Sequence, residues 1–433
     1  MNATAAPDPQ LAALVAEAEQ LGRSGRRDAA AAVWERVLAR DPDHPKALTF
    51  QALRALNRGD AAGARPLLER ALRAPSAPAL AHAAYGRVLE AAGDDEGALA
   101  AFDKALTLDP SGYPVHLDKA RIYGRLGRSR DQALAYEHAL QVAPPQALAA
   151  PAMAPLFQQA REVVGRNKAE LGEFLRQRLA DARSGVSGRS LARFDESLDI
   201  SLGKQPVYTS RSTVFHVAGL PSIAFFERED FPWAAAAEAC TDAVRAELEQ
   251  VLAGDDAGFI PYVRTRDGEP MGQFAPLDRN PDWSAYFLWQ HGRRVEEHMA
   301  RCPATLAMLE QVPQVEVANR APAAFFSALR PGTHIPPHNG ATNARLTVHL
   351  PLLIPPDCDL RVGAHTRRWK MGELLLFDDT IEHEAWNRSP QLRVVLIFDV
   401  WNPLLDEAER VLVREALEGI MAYYGQNAPL GEL

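Results

Sequence analysis

The stretch Arg330-Pro-Gly-Thr-His-Ile-Pro-Pro-His-Asn-Gly-Ala-Thr-Asn-Ala-Arg-Leu-Thr-Val-His-Leu350 decides how the second half of the chain folds. Pro331-Gly332 and Asn339-Gly340 are turn signals, and the run from Arg345 to Ile354 is apolar and strand-like. Similar runs flank it at Ala324–Arg330, Glu373–Phe377 and Leu392–Trp401. Pro355-Pro356-Asp357 and Asn387-Arg388-Ser389-Pro390 punctuate them. No helical pattern alternates with these runs, which argues against a parallel doubly wound sheet. An antiparallel double-sheet barrel, a jelly roll, fits the pattern. Upstream, the spacing predicts a helix over Pro232–Leu252.

The same stretch opens a histidine cluster. His334, His338, His349, His365 and His383 fall within 50 residues of a chain that has 12 histidines. Imidazole is the commonest metal ligand. His334 and His338 are four apart, but Pro336 and Pro337 lie between them and no Glu follows His334, which excludes a zinc-protease helix. A metal site built from strands remains, with His338 before a turn and His383 inside Asp378-Asp-Thr-Ile-Glu-His-Glu384. Arg393 stands in the apolar run Leu392-Arg-Val-Val-Leu-Ile-Phe-Asp399. A charge there needs an anion, either a bound one or a nearby Asp or Glu. His365 reads as an exposed turn residue.

Towards the N-terminus the texture is periodic. Gly25, Gly59, Gly93 and Gly127 recur every 34 residues. Five residues after each glycine come Ala30, Ala64, Ala98 and Gln132, and nine after come Trp34, Leu68, Phe102 and Tyr136. Thirteen after come Leu38, Leu72, Leu106 and Leu140, and Pro42, Pro75, Pro110 and Pro144 follow, each read as starting the next repeat. Glycine ends one helix cheaply, the small residue lets two helices approach, and the two large residues face the partner helix. The period resembles the tetratricopeptide repeat. Such repeats stack into a solenoid whose groove binds a peptide or protein, unless the array only caps its neighbour. Gln158 to Arg183 reads as one long amphipathic helix with Leu171, Phe174, Leu175 and Leu179 on a face.

Length and composition fit two or three soluble domains: 433 residues, 47% hydrophobic and 24% charged. No apolar stretch is long enough for a membrane span. The first residues carry no secretory signal pattern, and Cys240, Cys302 and Cys358 form no zinc or disulfide framework, so a cytoplasmic setting is expected. The net charge of −9 argues against a nucleic-acid partner.

Four blocks carry a more specific likeness. Arg330–Leu350, Gly372–Trp386, Arg393–Trp401 and Asp282–Arg294 resemble, in order, the aspartyl/asparaginyl β-hydroxylase family, whose longer members also carry tetratricopeptide repeats. The resemblance implies an iron(II)- and 2-oxoglutarate-dependent dioxygenase on a double-stranded β-helix. It implies His338 and His383 as the iron ligands, with Gly340 where other such oxygenases have an acid. It makes Arg393 the partner of the distal carboxylate of 2-oxoglutarate, with Ser327 assisting and His349 beside the proximal carboxylate. Asp379 resembles an acid that steadies iron-bound water, and dioxygen is the co-oxidant. Arg345 is a candidate for an acidic substrate group or the proximal carboxylate. Trp283 is read as either core or substrate wall. Thr347 and Ala285 depart from the vertebrate pattern, which has an arginine and a glutamine there.

The expected organisation is therefore a repeat array over residues 8–145, a helical linker over 146–200 and a jelly-roll oxygenase domain over 201–433. The expected activity is hydroxylation of an aspartyl or asparaginyl residue in a peptide or protein. The alternatives are the same chemistry on a lipid or small natural product, or a repeat scaffold without catalysis.

Overall fold

The computed structural model describes residues 8–186, 188–254, 258–265, 268 and 272–425. The chain divides between Lys204 and Gln205 into two compact units.

The first unit is a helical solenoid. Its repeats are helix pairs: α1 (Pro9–Arg23) with α2 (Arg27–Arg40), α3 (Pro45–Asn57) with α4 (Ala61–Ala71), α5 (Ala79–Ala91) with α6 (Asp95–Leu108), and α7 (Tyr113–Arg125) with α8 (Ser129–Val142). Each periodic glycine sits between the helices of a pair at φ of 70° to 81°, a left-handed conformation that glycine adopts without strain. Trp34, Leu68, Phe102 and Tyr136 are buried, as are Ala30, Ala64 and Ala98. The fourth repeat has Gln132 in place of alanine. The room comes from the facing helix, where a Cβ on Gly124 would overlap the Gln132 amide. Pro42, Pro75 and Pro110 lie in the loops between pairs rather than at the first position of a helix.

The segment expected as a linker contains α9 (Pro145–Ala149), α10 (Ala154–Arg178), α11 (Ala180–Arg183) and α12 (Gly188–Ser201). α10 buries Phe157, Ala160, Val163 and Val164 in one cluster with Tyr136 and Ala139 of α8, so it continues the solenoid core. The expected packing face was wrong: Leu171 and Phe174 are exposed, because the contact runs through the N-terminal half of the helix.

The second unit has β1 (Phe225–Phe226), β2 (Ile260–Pro261), β3 (Trp283–Gln290), β4 (Arg293–Arg294), β5 (Ala324–Leu329), β6 (His334–His338), β7 (Arg345–Leu353), β8 (Cys358–Val362), β9 (His365–Arg368), β10 (Leu375–Phe377), β11 (His383–Asn387) and β12 (Arg393–Trp401). One sheet runs β1-β10-β7-β12-β5-β3-β2 with β4 on β3, and the other runs β6-β11-β8-β9. Every ladder is antiparallel. From β5 to β12 the chain crosses between sheets at each connection except the β8–β9 hairpin, which is jelly-roll winding. The helix expected over Pro232–Leu252 is two, α13 (Ala234–Ala239) and α14 (Thr241–Leu252). β6 carries Pro336 and Pro337, and it lies at a sheet edge, where a missing N–H costs no ladder bond.

Alternation along the strands sorts the side chains. Leu346, Val348, Leu350 and Leu352 of β7 and Val394, Leu396, Phe398 and Val400 of β12 pack with Val244 and Leu248 of α14 in one core. Their sequence neighbours face the opposite sheet, where Val395, Leu329 and Trp283 meet Leu360, Val362 and Ala385. Among the described residues no helix is long and apolar enough to cross a membrane.

Phe102 is fully buried, and its ring lies where a Cβ on Gly86 would have to go. Phe102→Ala should destabilise the solenoid by about 3–5 kcal/mol. Denaturant unfolding of the full chain followed by circular dichroism reads this directly.

Candidate active site

The inward-facing residues line a cavity of about 670 Å³ between the two sheets. From the large sheet come Trp283, Ser327, Arg345, Thr347, His349, Arg393 and Asp399, and from the small sheet His338 and His383. Gly340 and Asp379 join them from loops. The structure thus brings all the expected site residues to one cavity.

His338 and His383 are direct cross-strand partners on β6 and β11, so both rings leave the same face. Their centroids are 3.9 Å apart. The ladder is irregular just after this pair, between His383 and Ala385, a bulge of the kind that re-aims a side chain. Each Nδ1 meets the carbonyl oxygen two residues earlier, Pro336 at 2.7 Å and Ile381 at 3.1 Å. A carbonyl only accepts, so each Nδ1 carries the hydrogen and each Nε2 keeps its lone pair. Burial holds His338 well below the usual histidine range and pushes His383 down to about 4. Two neutral imidazoles so arranged are a donor set for a divalent metal. Among the described residues no group of three or more His, Cys, Asp or Glu gathers as a metal set.

A carboxylate takes the space beside Gly340. A Cβ on Gly340 would overlap the Asp379 carboxylate, while the Gly340 N–H donates to the Asp379 carbonyl at 2.7 Å. Asp379 Oδ2 accepts from Arg345 Nη2 at 3.0 Å, and its Oδ1 is buried without a partner. Arg345 Nη1 donates to Asp399 at 2.6 Å and to Thr347 Oγ1 at 2.9 Å. Burial works against the Arg345 charge, but Asp379 and Asp399 outweigh it and raise its pKa. Burial pushes Asp399 up to about 6. Arg345 Nη1 is spent on Asp399 and Thr347 and one Nη2 hydrogen on Asp379, while Nε is buried without a partner, so a substrate or cosubstrate carboxylate expected at Arg345 would have to meet Nε or the second Nη2 hydrogen. Thr347 has a stated job here, as an acceptor for that same guanidinium.

Arg393 is 1% exposed, and among the described residues no carboxylate pairs with it. Its Nη1 reaches only the Ser327 carbonyl at 3.4 Å, and its Nε has no partner. Burial pushes its pKa down to about 10. A cation desolvated in this way leaves a strong demand for an anion in the cavity. Trp283 is 5% exposed, lies 4.3 Å from Tyr262 ring to ring, and donates its indole N–H to Ser327 Oγ at 3.1 Å. It is both cavity wall and brace. His349 Nδ1 accepts from the Trp369 indole at 3.1 Å, and burial with the Arg393 charge holds its pKa well below the usual range.

Sequence reasoning missed Asp399 and Trp369. Asp399 was within reach, because it lies six residues after Arg393 and strand alternation puts both on one face. Trp369 follows β9 and carries no local signal that its ring is buried between the sheets. His365 is exposed, as expected.

The imidazoles of His338, His349 and His383 make stability depend on pH. Their folded pKa values lie below the usual 6.5, so the unfolded chain binds more protons between about 6.5 and 4 and stability falls as pH falls through that window. Asp378 and Asp399, raised by burial, act in the opposite sense but are fewer. The melting temperature of the metal-free chain should drop from about pH 7 to about pH 5. His349→Gln should shallow that slope.

Two family models match the chain: the aspartyl/asparaginyl beta-hydroxylase model over residues 238–403, and the tetratricopeptide repeat model over 15–64 and 51–113. The aspartyl/asparaginyl beta-hydroxylase of Homo sapiens is 41% identical over 144 residues, which are 32% of this chain and 19% of that protein. The ornithine lipid ester-linked acyl 2-hydroxylase of Rhizobium tropici is 32% identical over 228 residues, 51% of this chain and 70% of that protein. The chain therefore spans less than a fifth of the human relative and over two thirds of the bacterial one. The hydroxylase model runs across β3 to β12, the strands that build the cavity, and the chain belongs to the aspartyl/asparaginyl β-hydroxylase family.

Proposed function

We propose that this member of a hydroxylase family is an iron(II)- and 2-oxoglutarate-dependent dioxygenase that hydroxylates an aspartyl or asparaginyl residue of a peptide or protein. The observation that carries the reading is a single cavity in which the His338–His383 pair faces Arg393, a buried cation without a carboxylate. Two neutral imidazoles with free Nε2 atoms suit iron(II), and an unpaired guanidinium suits the far carboxylate of a dicarboxylic acid. Bound there, the metal and cosubstrate would supply the oxidising power for C–H hydroxylation, with 2-oxoglutarate, a co-reactant with dioxygen, leaving as succinate and carbon dioxide.

The chain's own residues do the positioning. His338 and His383 would hold the metal, each kept in its ligand tautomer by a backbone carbonyl. Arg393, with Ser327 behind it, would fix one end of the cosubstrate, and His349 would donate a hydrogen bond at the other. Asp379 Oδ1 is the free acceptor beside Gly340, suited to a water in the cavity. Phe274, Phe325 and Ile397 give the cavity an apolar wall.

A second reading replaces the peptide with an acyl chain. The length matched in the bacterial lipid hydroxylase favours it. The tetratricopeptide repeats favour a protein or peptide. Succinate formation from 2-oxoglutarate, with panels of Asp/Asn peptides and of acyl lipids, separates the two. Stimulation by lipids alone would overturn the peptide reading, and no succinate with any substrate would overturn both.

His338→Ala or His383→Ala should abolish iron binding and turnover. Arg393→Ala should weaken 2-oxoglutarate binding at least about thirtyfold, and Arg393→Lys should recover only part, because the planar fork is lost. Titration calorimetry reads both.

If the repeats recruit the substrate, a chain beginning at Gln205 should hydroxylate a short peptide unchanged. With a full-length target its KM should rise, since a remote groove contributes binding shared by ground and transition states. Equal KM values for both chains would make the array a structural cap.

A further inference from the structure

We propose that Trp369 is the positioning residue of the cosubstrate cradle, fixing His349 as a hydrogen-bond donor and bracing Arg393 with the same indole ring. The inference rests on the cavity being the 2-oxoglutarate site.

An indole nitrogen can only donate. Trp369 Nε1 donates to His349 Nδ1 at 3.1 Å, so the one hydrogen of the neutral imidazole must sit on Nε2. The two proposed ligands have the opposite arrangement. Their Nδ1 atoms face carbonyls, so their bare nitrogen is Nε2. Of the histidines that line the cavity, these three are divided by their partners into two ligands and one donor. His349 is thereby excluded as a third metal ligand through Nε2 and is prepared to meet a carboxylate oxygen.

The same ring serves a second group. The Arg393 guanidinium lies 4.8 Å from the Trp369 ring centroid. That contact steadies a buried cation that has no carboxylate partner. Trp369 is 4% exposed and follows β9 of the small sheet, while His349 and Arg393 stand on β7 and β12 of the large one. One side chain from across the sandwich therefore touches the groups proposed for both ends of the dicarboxylate. Phe377 closes the other side of His349, edge-on at 5.0 Å, so the imidazole cannot turn freely to exchange its nitrogens.

The tautomer can be read in the unmodified chain. In full-length protein labelled with 15N-histidine, two-bond nitrogen–proton correlations distinguish Nδ1–H from Nε2–H. The His349 signals are identified by their loss in His349→Gln. The expected pattern is Nε2–H for His349, and an Nδ1–H pattern overturns the proposal. Trp369→Phe keeps a ring under Arg393 and removes the donor. It should give His349 a mixed tautomer signature and weaken 2-oxoglutarate binding about tenfold, with zinc(II) in place of iron and zinc affinity unchanged. Replacing Trp369 with 3-benzothienylalanine, which swaps N–H for sulfur at nearly constant shape, should reproduce both effects if the phenylalanine variant does not fold. Unchanged 2-oxoglutarate affinity in either folded variant overturns the proposal. If the unmodified chain binds no 2-oxoglutarate at all, the functional reading fails, and the His349 spectrum still decides whether Trp369 sets the tautomer.

Discussion

Strand alternation in β5, β7 and β12 is the constraint on which the catalytic unit depends. One face of these strands is apolar without exception and packs against helices, and each Leu, Val or Phe on it contributes on the order of 1.5–3 kcal/mol when buried. That face holds the register. A slip of one residue in β12 would bury Arg393 and Asp399 among leucines and turn Leu396 and Phe398 into the cavity. The polar inner face is therefore a consequence of the apolar outer one, and the site inherits its geometry from hydrophobic packing it does not touch.

Within the cavity the charges fall into two kinds. Arg345, Asp379 and Asp399 form a linked set, paired with one another across β7, β12 and a loop. Such a set holds shape and leaves Asp379 Oδ1 and Arg345 Nε as its unpartnered atoms. Arg393 is the reverse, desolvated to a similar degree and left without an anion. Neutral histidines complete the pattern, with tautomers assigned by carbonyls for two and by an indole for the third. Preorganisation here is mostly a matter of which hydrogen bonds are already taken.

Much of this was legible beforehand. The 34-residue period fixed the helix pairs, because a left-handed glycine and a buried aromatic or leucine have fixed places in such a turn. The apolar runs around 324, 345, 375 and 393 are the central strands, and His338, His383 and Arg393 do meet in one cavity. What escaped has physical reasons. Two prolines hid β6, since edge placement is a tertiary fact. Leu171 and Phe174 are exposed, because amphipathic spacing says which residues align and not which turn of a helix is covered. Trp369 and the linked set around Arg345 depend on side chains from distant strands, which no local spacing encodes.

The close approach at Gly340 couples two positions 39 residues apart in sequence. A side chain at 340 and the carboxylate of Asp379 claim the same volume. A side chain cannot be added at 340 alone without colliding with that carboxylate. Placing an acid at 340 would require Asp379 to leave, and its departure would strip Arg345 of one of its two carboxylates. Positions 340 and 379 are thus sterically coupled, and the coupling extends through Asp379 to the charge balance of Arg345.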